Sequence, residues 1–271
     1  MFLVHREVLK RASWISRPIP WPCRGAAILG WLWASSAGAA GEVSRGDELY
    51  AHGQLAESRA AYAAALAADP AGFTAMCRLA RVESEMAEDL NGEPQRQMIA
   101  AAVEHARAAV KTAPDSASGH VWLAVALGRQ ALREGPKTQL ALSREVKSEV
   151  DRGIALDPGI GRAYHVRALW NRKLASLNFF ERGVAKAVLG GVPKGASMDN
   201  AVRDLKKAIE LEPNYVNHHL ELGRTYQQLK HYDEARAELE RAIGLPPTSN
   251  ARDAKYQAEA RSLLEKLPKR G

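Results

Sequence analysis

Five prolines divide the chain into long segments of helical character. Pro70, Pro114, Pro158 and Pro213 each follow a run rich in alanine and leucine, and Pro247 follows the last such run. Proline lacks an N–H group and disfavours helical geometry at the residue before it, so each of these prolines predicts the end of a helix. The intervals between them are 44, 44, 55 and 34 residues, a spacing typical of stacked helix pairs. We therefore predict an all-α solenoid.

The first and last segments share one pattern of small and bulky residues. Small residues recur where the two helices of a pair would cross, and bulky residues fill the space beside them. This pattern resembles the tetratricopeptide repeat, whose 34-residue period equals the last interval, so the longer intervals correspond to the same unit with insertions of 10, 10 and 21 residues. The matching positions are Gly46, Leu49, Gly53, Tyr62, Ala65 and Leu66 in the first segment, and Leu222, Gly223, Tyr226, Ala235, Leu239, Ala242 and Ile243 in the last.

The predicted organisation is a leader followed by one repeat domain. Residues 1–40 form the leader, and residues 41–271 form a tetratricopeptide-like solenoid of helical hairpins with about five helix pairs. An amphipathic run over residues 251–267 predicts a capping helix, because terminal repeats need a polar outer side. The repeats are predicted at about residues 42–70, 71–114, 115–158, 159–213 and 214–247.

The leader has the order of parts found in export signals. Five basic residues precede an apolar stretch over residues 26–33, and Ala37-Gly38-Ala39 supplies the small residues of a cleavage site near Ala39 or Ala40. We therefore expect a signal peptide and an exported, periplasmic-type protein. The alternatives are an uncleaved N-terminal membrane anchor, with membrane contact only in that case, or a start extended upstream of a cytoplasmic chain.

Charge and cysteine content also depend on the leader. It carries a net charge of +4 out of +7, which leaves 33 basic and 30 acidic residues after cleavage. Nucleic-acid binding would need a concentrated basic face, so we expect no nucleic-acid partner. Cys23 lies in the leader, and Cys77 alone would remain, so no internal disulfide is expected. A small core thiol is the favoured interpretation of Cys77, and a reactive nucleophile is the alternative.

Motifs of catalysis or metal binding do not emerge from the sequence. His218 and His219 are adjacent on a predicted helix and point about 100° apart, so they are poorly placed to share one ion. The stretch over residues 190–197 resembles a phosphate loop, yet Lys194 precedes the final glycine instead of following it. We expect no enzyme, no catalytic residues, no metal and no cofactor.

The concave face of the solenoid is the remaining candidate site. In a tetratricopeptide unit, helix A lines the groove at its second, fifth, ninth and twelfth positions, and several residues there are cationic. We therefore predict a groove for an acidic protein or peptide partner, while the alternative is that these arginines are only solvated. The predicted binding residues are Arg81, Arg129, Arg162, His165, Arg172, Asn217, Arg224 and Gln227, and Cys77, Val121, Val125, Leu169 and Leu220 also occupy groove positions.

One part of the chain departs from ordinary repeat sequence. Tyr164-His165, the run KLASLNFFER at residues 173–182, the run AVRDLKKA at 201–208 and the exit LPPT at 245–248 resemble the regulator of microtubule dynamics protein family. The resemblance covers about residues 120–267. It implies helical repeats that serve protein association, with microtubule attachment in some members and N-terminal membrane anchoring in others.

The insertion at residues 177–197 has two interpretations. Its apolar residues Phe179, Phe180, Val184, Ala187, Val188 and Leu189 favour an extra amphipathic helix packed over the repeats, and a binding lid is the alternative.

Three functions are compatible with the sequence. The first is a non-enzymatic scaffold that binds an extended peptide or protein segment in the concave groove. The second, which the family resemblance implies, is a cytoskeleton-associated regulator with tubulin as a partner; it requires a retained N-terminus and cytoplasmic residence, because an exported protein would not meet tubulin. The third is a hydrolase site hidden in the insertion.

Overall fold

The computed structural model describes residues 25–178, 182, 183, 186, 191, 193, 195–246, 248 and 250–268. Within these residues the chain forms eleven α-helices, one 3₁₀ turn at Ala87–Asp89 and no strand. The helices are α1 (Gly25–Ala51), α2 (Leu55–Ala68), α3 (Phe73–Met86), α4 (Gly92–Thr112), α5 (Ala117–Ala131), α6 (Pro136–Leu156), α7 (Gly161–Ala175), α8 (Met198–Leu211), α9 (Val216–Gln228), α10 (Tyr232–Gly244) and α11 (Asp253–Glu265).

Consecutive helices pack as pairs. The pairs are α1 with α2, α3 with α4, α5 with α6, α7 with α8, and α9 with α10, and α11 packs on the last pair as a cap. The first helix of each pair also contacts the second helix of the pair before it. This arrangement confirms the predicted all-α solenoid of helical hairpins.

Four of the prolines lie just beyond helix ends. Helices α2, α4, α6 and α8 each end two residues before Pro70, Pro114, Pro158 or Pro213. The intervening residue leaves helical geometry in all four cases, with φ between -145° and -132° and positive ψ. The local rule that a residue preceding proline avoids helical geometry therefore accounts for these breaks.

Close packing within a pair depends on glycine where two helices cross. At Gly223 of α9, an added Cβ would lie 2.8 Å from Cγ of Leu239 on α10. At Gly46 of α1, it would lie 2.4 Å from Cε1 of Tyr62 on α2. Both distances are too short for carbon atoms, so these positions hold the helices at a separation that only glycine permits.

Two repeats use a buried histidine in the same way. Nε2 of His120 lies 2.8 Å from the carbonyl oxygen of Pro114, and Nδ1 lies 2.6 Å from Glu149. Nε2 of His219 lies 3.1 Å from the carbonyl oxygen of Pro213, and Nδ1 lies 2.8 Å from Glu238. Each histidine thus ties the proline turn to the second helix of its own pair.

The solenoid closes on itself through its C-terminal segment. Arg252, which is buried, donates hydrogen bonds to Glu88 and Asp89 of the 3₁₀ turn, and Lys255 of α11 lies 2.7 Å from Asp89. The Tyr50 hydroxyl of α1 lies 3.2 Å from Oδ1 of Asn250. Helix α11 therefore caps the last repeat, as predicted, and the segment that leads into it, with Lys255, bridges to the first two repeats, which was not predicted.

Several sequence predictions fall outside the described residues. These are the basic part of the leader, Cys23, Lys194, Pro247 and the insertion residues Phe179, Phe180, Val184, Ala187, Val188 and Leu189. The apolar stretch of residues 26–33 and the predicted cleavage point lie within α1. In the part of the chain that the structure describes, no helix combines the length and apolar character needed to cross a bilayer.

Candidate functional site

A cavity of about 670 Å³ occupies the concave side of the solenoid. Helices α5, α6 and α7 contribute most of its lining, and the end of α3, the 3₁₀ turn, the first half of α4, helix α9 and helix α11 contribute the rest. Its size falls within the usual range for pockets that bind small ligands. The apolar lining includes Ile99, Trp122, Val125, Leu140, Val166 and Leu169.

The charged residues that line the cavity are predominantly basic. Seven lysines and arginines face four glutamates, so the lining favours an anionic ligand. Three of the cations, Arg133, Lys137 and Lys173, are exposed and make no ion pair with any described residue. Leu132, which is 58 % exposed, lies beside them. We call these four residues the basic rim.

Most of the predicted groove arginines already have carboxylate partners. Nε of Arg81 lies 3.3 Å from Glu85, Arg129 pairs with Glu88, and Arg172 pairs with Glu221. Arg224 lies 2.6 Å from Glu259 of α11 and 3.1 Å from Glu221. Because these arginines are paired with carboxylates, much of the positive charge that the sequence predicted for the groove is neutralised.

Arg162 differs from the other groove arginines. Its guanidinium lies 4.8 Å from the ring centroid of Trp122 and 4.9 Å from that of Tyr215, and Nη1 donates a hydrogen bond of 3.2 Å to the Tyr215 hydroxyl. None of the described carboxylates forms an ion pair with it. Burial acts to lower the pKa of Arg162, but Tyr215 and the carboxylates of Glu85 and Glu212 outweigh it and raise the pKa. The Arg162 guanidinium is therefore fully charged and fixed in position at the cavity wall, where its N–H groups can donate hydrogen bonds.

Polar atoms without partners also occur at the cavity. Oδ1 of Asn217, Oγ of Ser143 and Nε of Arg129 are each buried and have no hydrogen-bond partner in the described structure. All three residues line the cavity. Buried polar atoms are nearly always hydrogen-bonded, so these three atoms have bonding capacity that a ligand or water could complete.

Two buried histidines lie behind Arg162. Nδ1 of His165 lies 2.9 Å from Nδ1 of His218, whose Nε2 lies 3.1 Å from Glu212. Burial lowers the pKa of His165 well below its ordinary value, and burial likewise lowers the pKa of His218. Both rings are therefore neutral near pH 7, and one Nδ1–H donates to the other ring. In the described residues no cluster of three or more His, Cys, Asp or Glu side chains could hold a metal ion.

The predicted groove residues divide into two groups. Arg129, Arg162, His165, Asn217, Arg224, Val125 and Leu169 line the cavity. Arg81, Arg172, Gln227, Cys77, Val121 and Leu220 do not line it.

Three of the groove positions that do not line the cavity, Cys77, Val121 and Leu220, are buried in the core. Val121 packs against α6, where an added Cβ on Gly153 would meet its Cγ2 at 2.9 Å, and the next residue, Trp122, lines the cavity instead. Leu220 is fully buried within the core of the last repeats. Cys77 is also a buried core thiol, and burial raises its pKa to about 12.

Tyr215, Tyr256 and the acidic partners of the arginines were missed by sequence reasoning. Tyr215 precedes α9, and Tyr256 belongs to α11, so neither occupies the helix A positions from which the groove was predicted. The Tyr215 position, two residues after Pro213, carried a signal, because an aromatic residue at a helix start can stack on a neighbouring arginine.

Solved structures share the fold. A tetratricopeptide-repeat protein of Thermus thermophilus superposes with a TM-score of 0.63 at 20% sequence identity, covering 84% of this chain and 99% of that one. PilF of Pseudomonas aeruginosa superposes with a TM-score of 0.51 at 16% identity, covering 86% of this chain and 93% of that one. These likenesses show the tetratricopeptide-type helical-repeat fold alone.

Sequence relatives carry a more specific name. Regulator of microtubule dynamics protein 1 of Caenorhabditis elegans is 29% identical over 189 residues, which span 70% of this chain and 83% of that protein. The Mus musculus protein 1 is 28% identical and the Rattus norvegicus protein 3 is 30% identical, and the matches span 63% and 40% of their lengths. The family model described as regulator of microtubule dynamics protein 1-3 matches residues 43–268. The chain therefore belongs to the regulator of microtubule dynamics protein family.

Proposed function

We propose that this protein is a non-enzymatic interaction scaffold whose concave cavity binds an acidic segment of a partner protein. The tetratricopeptide-type fold supports a protein partner in general terms. The observation that carries the specific proposal is Arg162, which is charged, held between two aromatic rings and free of any carboxylate pair with the described residues.

The paired arginines refine the predicted binding residues. A ligand that bound Arg172 or Arg224 would have to displace Glu221, whereas a ligand carboxylate can approach Arg162 without breaking an ion pair. The partner therefore engages Arg162 first. Arg129 and Asn217 supply additional polar contacts, since each has a buried atom that awaits a partner.

The basic rim favours the same ligand charge. Arg133, Lys137 and Lys173 are exposed at the cavity, so they attract an acidic chain as it approaches and contribute mainly to the association rate. Leu132 adds an apolar contact at this entrance.

Binding of acidic peptides by the full chain tests this function. A fluorescent pool of octapeptides rich in Asp and Glu should bind at least about tenfold more tightly than the same pool with Lys in place of the acids. R162Q should remove most of that preference, because it takes away the unpaired charge. R96Q removes the same charge from an exposed surface pair with Glu93 and should leave binding unchanged. Equal binding of the two pools to the unsubstituted protein would contradict the proposal.

A second function follows from family membership. Relatives are named as regulators of microtubule dynamics, and this chain matches 63% of the length of the Mus musculus protein. A microtubule-associated role would place the protein in contact with tubulin in the cytosol. Export through the predicted leader would prevent that contact, so the mature N-terminus separates the two functions.

A further inference from the structure

We infer that an acidic ligand in the cavity tightens the bridge between the two ends of the solenoid, and that Glu88 carries this coupling. The bridge consists of Asn250, Arg252 and Lys255, which join the last repeat to the first two repeats. This inference rests on the proposed function and names how binding at the same site is regulated.

Glu88 is shared between the cavity and the bridge. Its Oε1 accepts a hydrogen bond from Arg129, which lines the cavity, and its Oε2 accepts one of 2.8 Å from Arg252, which does not line it. Nζ of Lys255 lies 3.7 Å from the same Oε2. Burial acts to raise the pKa of Glu88, but Arg129 and Arg252 outweigh it and lower the pKa, so the carboxylate is ionised near pH 7. One negative charge therefore holds cations of both the cavity and the bridge.

Arg129 can change its partner without leaving a buried charge unpaired. Its Nε is buried and has no hydrogen-bond partner in the described structure, so a ligand oxygen can bond there before Glu88 moves. If the ligand then replaced Glu88 on Arg129, Glu88 would keep Arg252 and Lys255 as partners. The exchange therefore avoids the large cost of an uncompensated buried carboxylate.

The proposed ligand can extend from Arg162 to Arg129. Both arginines line the cavity. Burial lowers the pKa of His165, and the charges of Arg162 and Arg129 lower it further, so both cations lie near the same buried ring. A peptide segment with neighbouring carboxylates can therefore engage Arg162 with one and Arg129 with the next.

The exchange of partners favours the closed bridge. When a ligand carboxylate neutralises Arg129, the attraction that holds Glu88 on the cavity side is lost, and the like charge of the ligand repels Glu88 toward Arg252 and Lys255. The ligand also attracts these two cations of the bridge. All of these effects strengthen the contact between the 3₁₀ turn and the bridge, so ligand binding and bridge closure stabilise each other.

Hydrogen exchange of the full chain tests this coupling. Exchange of the amides in the 3₁₀ turn and in α11 is measured by mass spectrometry with and without a saturating concentration of the pool of octapeptides rich in Asp and Glu. The Lys-substituted pool serves as the negative ligand, and the amides of α2, none of whose residues lines the cavity, serve as the internal reference. The test variant is E88Q, and its matched control is E104Q, which removes an exposed carboxylate of α4. Circular dichroism first confirms unchanged helix content.

We expect the acidic pool to slow exchange in the 3₁₀ turn and α11, relative to α2, at least about fivefold in the unsubstituted protein and in E104Q, and less than about twofold in E88Q. The reason is that Glu88 connects the cavity cation to the bridge cations. Because coupling is reciprocal, R252Q should weaken binding of the acidic pool by a factor similar to the one by which the ligand slows exchange.

Each other outcome separates the coupling from the proposed function. Binding of the acidic pool that depends on Arg162 but leaves exchange unchanged would keep the proposed function and overturn the coupling. Faster exchange on binding, or protection that persists in E88Q, would also overturn the coupling. Absence of binding would contradict the proposed function and the coupling together.

Discussion

At the scale of single residues, the groove arginines show how context decides what a charge can do. Arg81, Arg129, Arg172 and Arg224 have the same chemistry as Arg162, but each has a glutamate within ion-pair distance. Displacing such a glutamate would leave one partly buried charge unpaired, which is costly. Arg162 makes its contacts with aromatic rings and a hydroxyl group, so its charge remains available.

The glycine at the crossing of α9 and α10 gives a prediction about stability. In G223A, the new Cβ would lie 2.8 Å from Cγ of Leu239, which is fully buried and cannot move away. Overpacking should lower the free energy of unfolding by about 1–3 kcal/mol, partly offset by about 0.5–1 kcal/mol of helix propensity. Urea denaturation measures the change. G128A in α5, where nothing lies within 4 Å, is the control and should be neutral or stabilising.

The buried histidine pair predicts a pH dependence. Burial holds the pKa of His165 well below 6.5 in the folded state, so below about pH 6.5 the unfolded chain binds a proton that the folded chain does not. The free energy of unfolding should therefore fall as the pH drops from 7 to 5, by up to about 1.4 kcal/mol per pH unit for this group. The lowered pKa of His218 also makes the free energy of unfolding fall as the pH drops.

Urea denaturation between pH 5 and 7.5 measures this slope. H165Q should reduce it, because the variant has no proton to gain in this range. H52Q, which replaces an exposed histidine, should keep the slope of the unsubstituted protein. A slope that is identical in H165Q and the unsubstituted protein would show that this pair does not control acid sensitivity.

At the scale of helices, prediction from sequence succeeded where local rules suffice and failed where distant helices meet. The residue before each proline leaves helical geometry for a local steric reason, so the ends of α2, α4, α6 and α8 follow from the sequence. The pairing of Arg129 with Glu88 depends on residues 41 positions apart on different repeats. Such pairs depend on how sharply the solenoid curves, and the repeat pattern does not specify that curvature.

The candidate site shows the same division. His165, Arg224 and Asn217, at or near predicted helix A positions, line the cavity, and their role in partner binding stays a prediction. In α5, Val125 lines the cavity as well, whereas Val121 packs against α6 and its neighbour Trp122 lines the cavity. The contribution of α11 to the cavity was not predicted, because the repeat pattern assigns no groove positions to a capping helix.

The bridge made by Asn250, Arg252 and Lys255 gives the prediction at the element scale. R252Q should expose the amides of α11 and the 3₁₀ turn to hydrogen exchange and lower the free energy of unfolding by about 1–3 kcal/mol, because Glu88 loses a buried partner. The hydrogen bond from Arg252 lowers the pKa of Asp89 to about 2, so the bridge should persist down to about pH 4.

R261Q is the matched control for the bridge. Arg261 lies exposed on α11, which Arg252 directly precedes, and its loss should leave exchange in the 3₁₀ turn unchanged. Equal protection of the 3₁₀ turn in R252Q and the unsubstituted protein would mean that the bridge contributes nothing to holding the two ends together.

At the scale of the whole molecule, the predicted export signal in residues 1–40 bears on where the protein would act. The hydrogen bonds that tie α1 to the repeats come from Gly46, Asp47 and Tyr50, all of which follow the predicted cleavage point near Ala40. Removal of the leader would therefore leave these contacts in place. We expect the intact mass of protein purified from its native host to correspond to a start near Ala40. A mass that includes Met1 would contradict export and favour the microtubule-associated function.

Because the two ends of the solenoid are joined, we also expect the chain to unfold differently from an open solenoid. In an open solenoid each repeat touches only its neighbours, so the outermost repeats fray independently and stability is nearly a sum over units. Here Arg252 and Asn250 give the outermost repeats partners more than 160 residues away. Fraying at one end therefore costs contacts at the other, and the repeats should melt together as one cooperative unit.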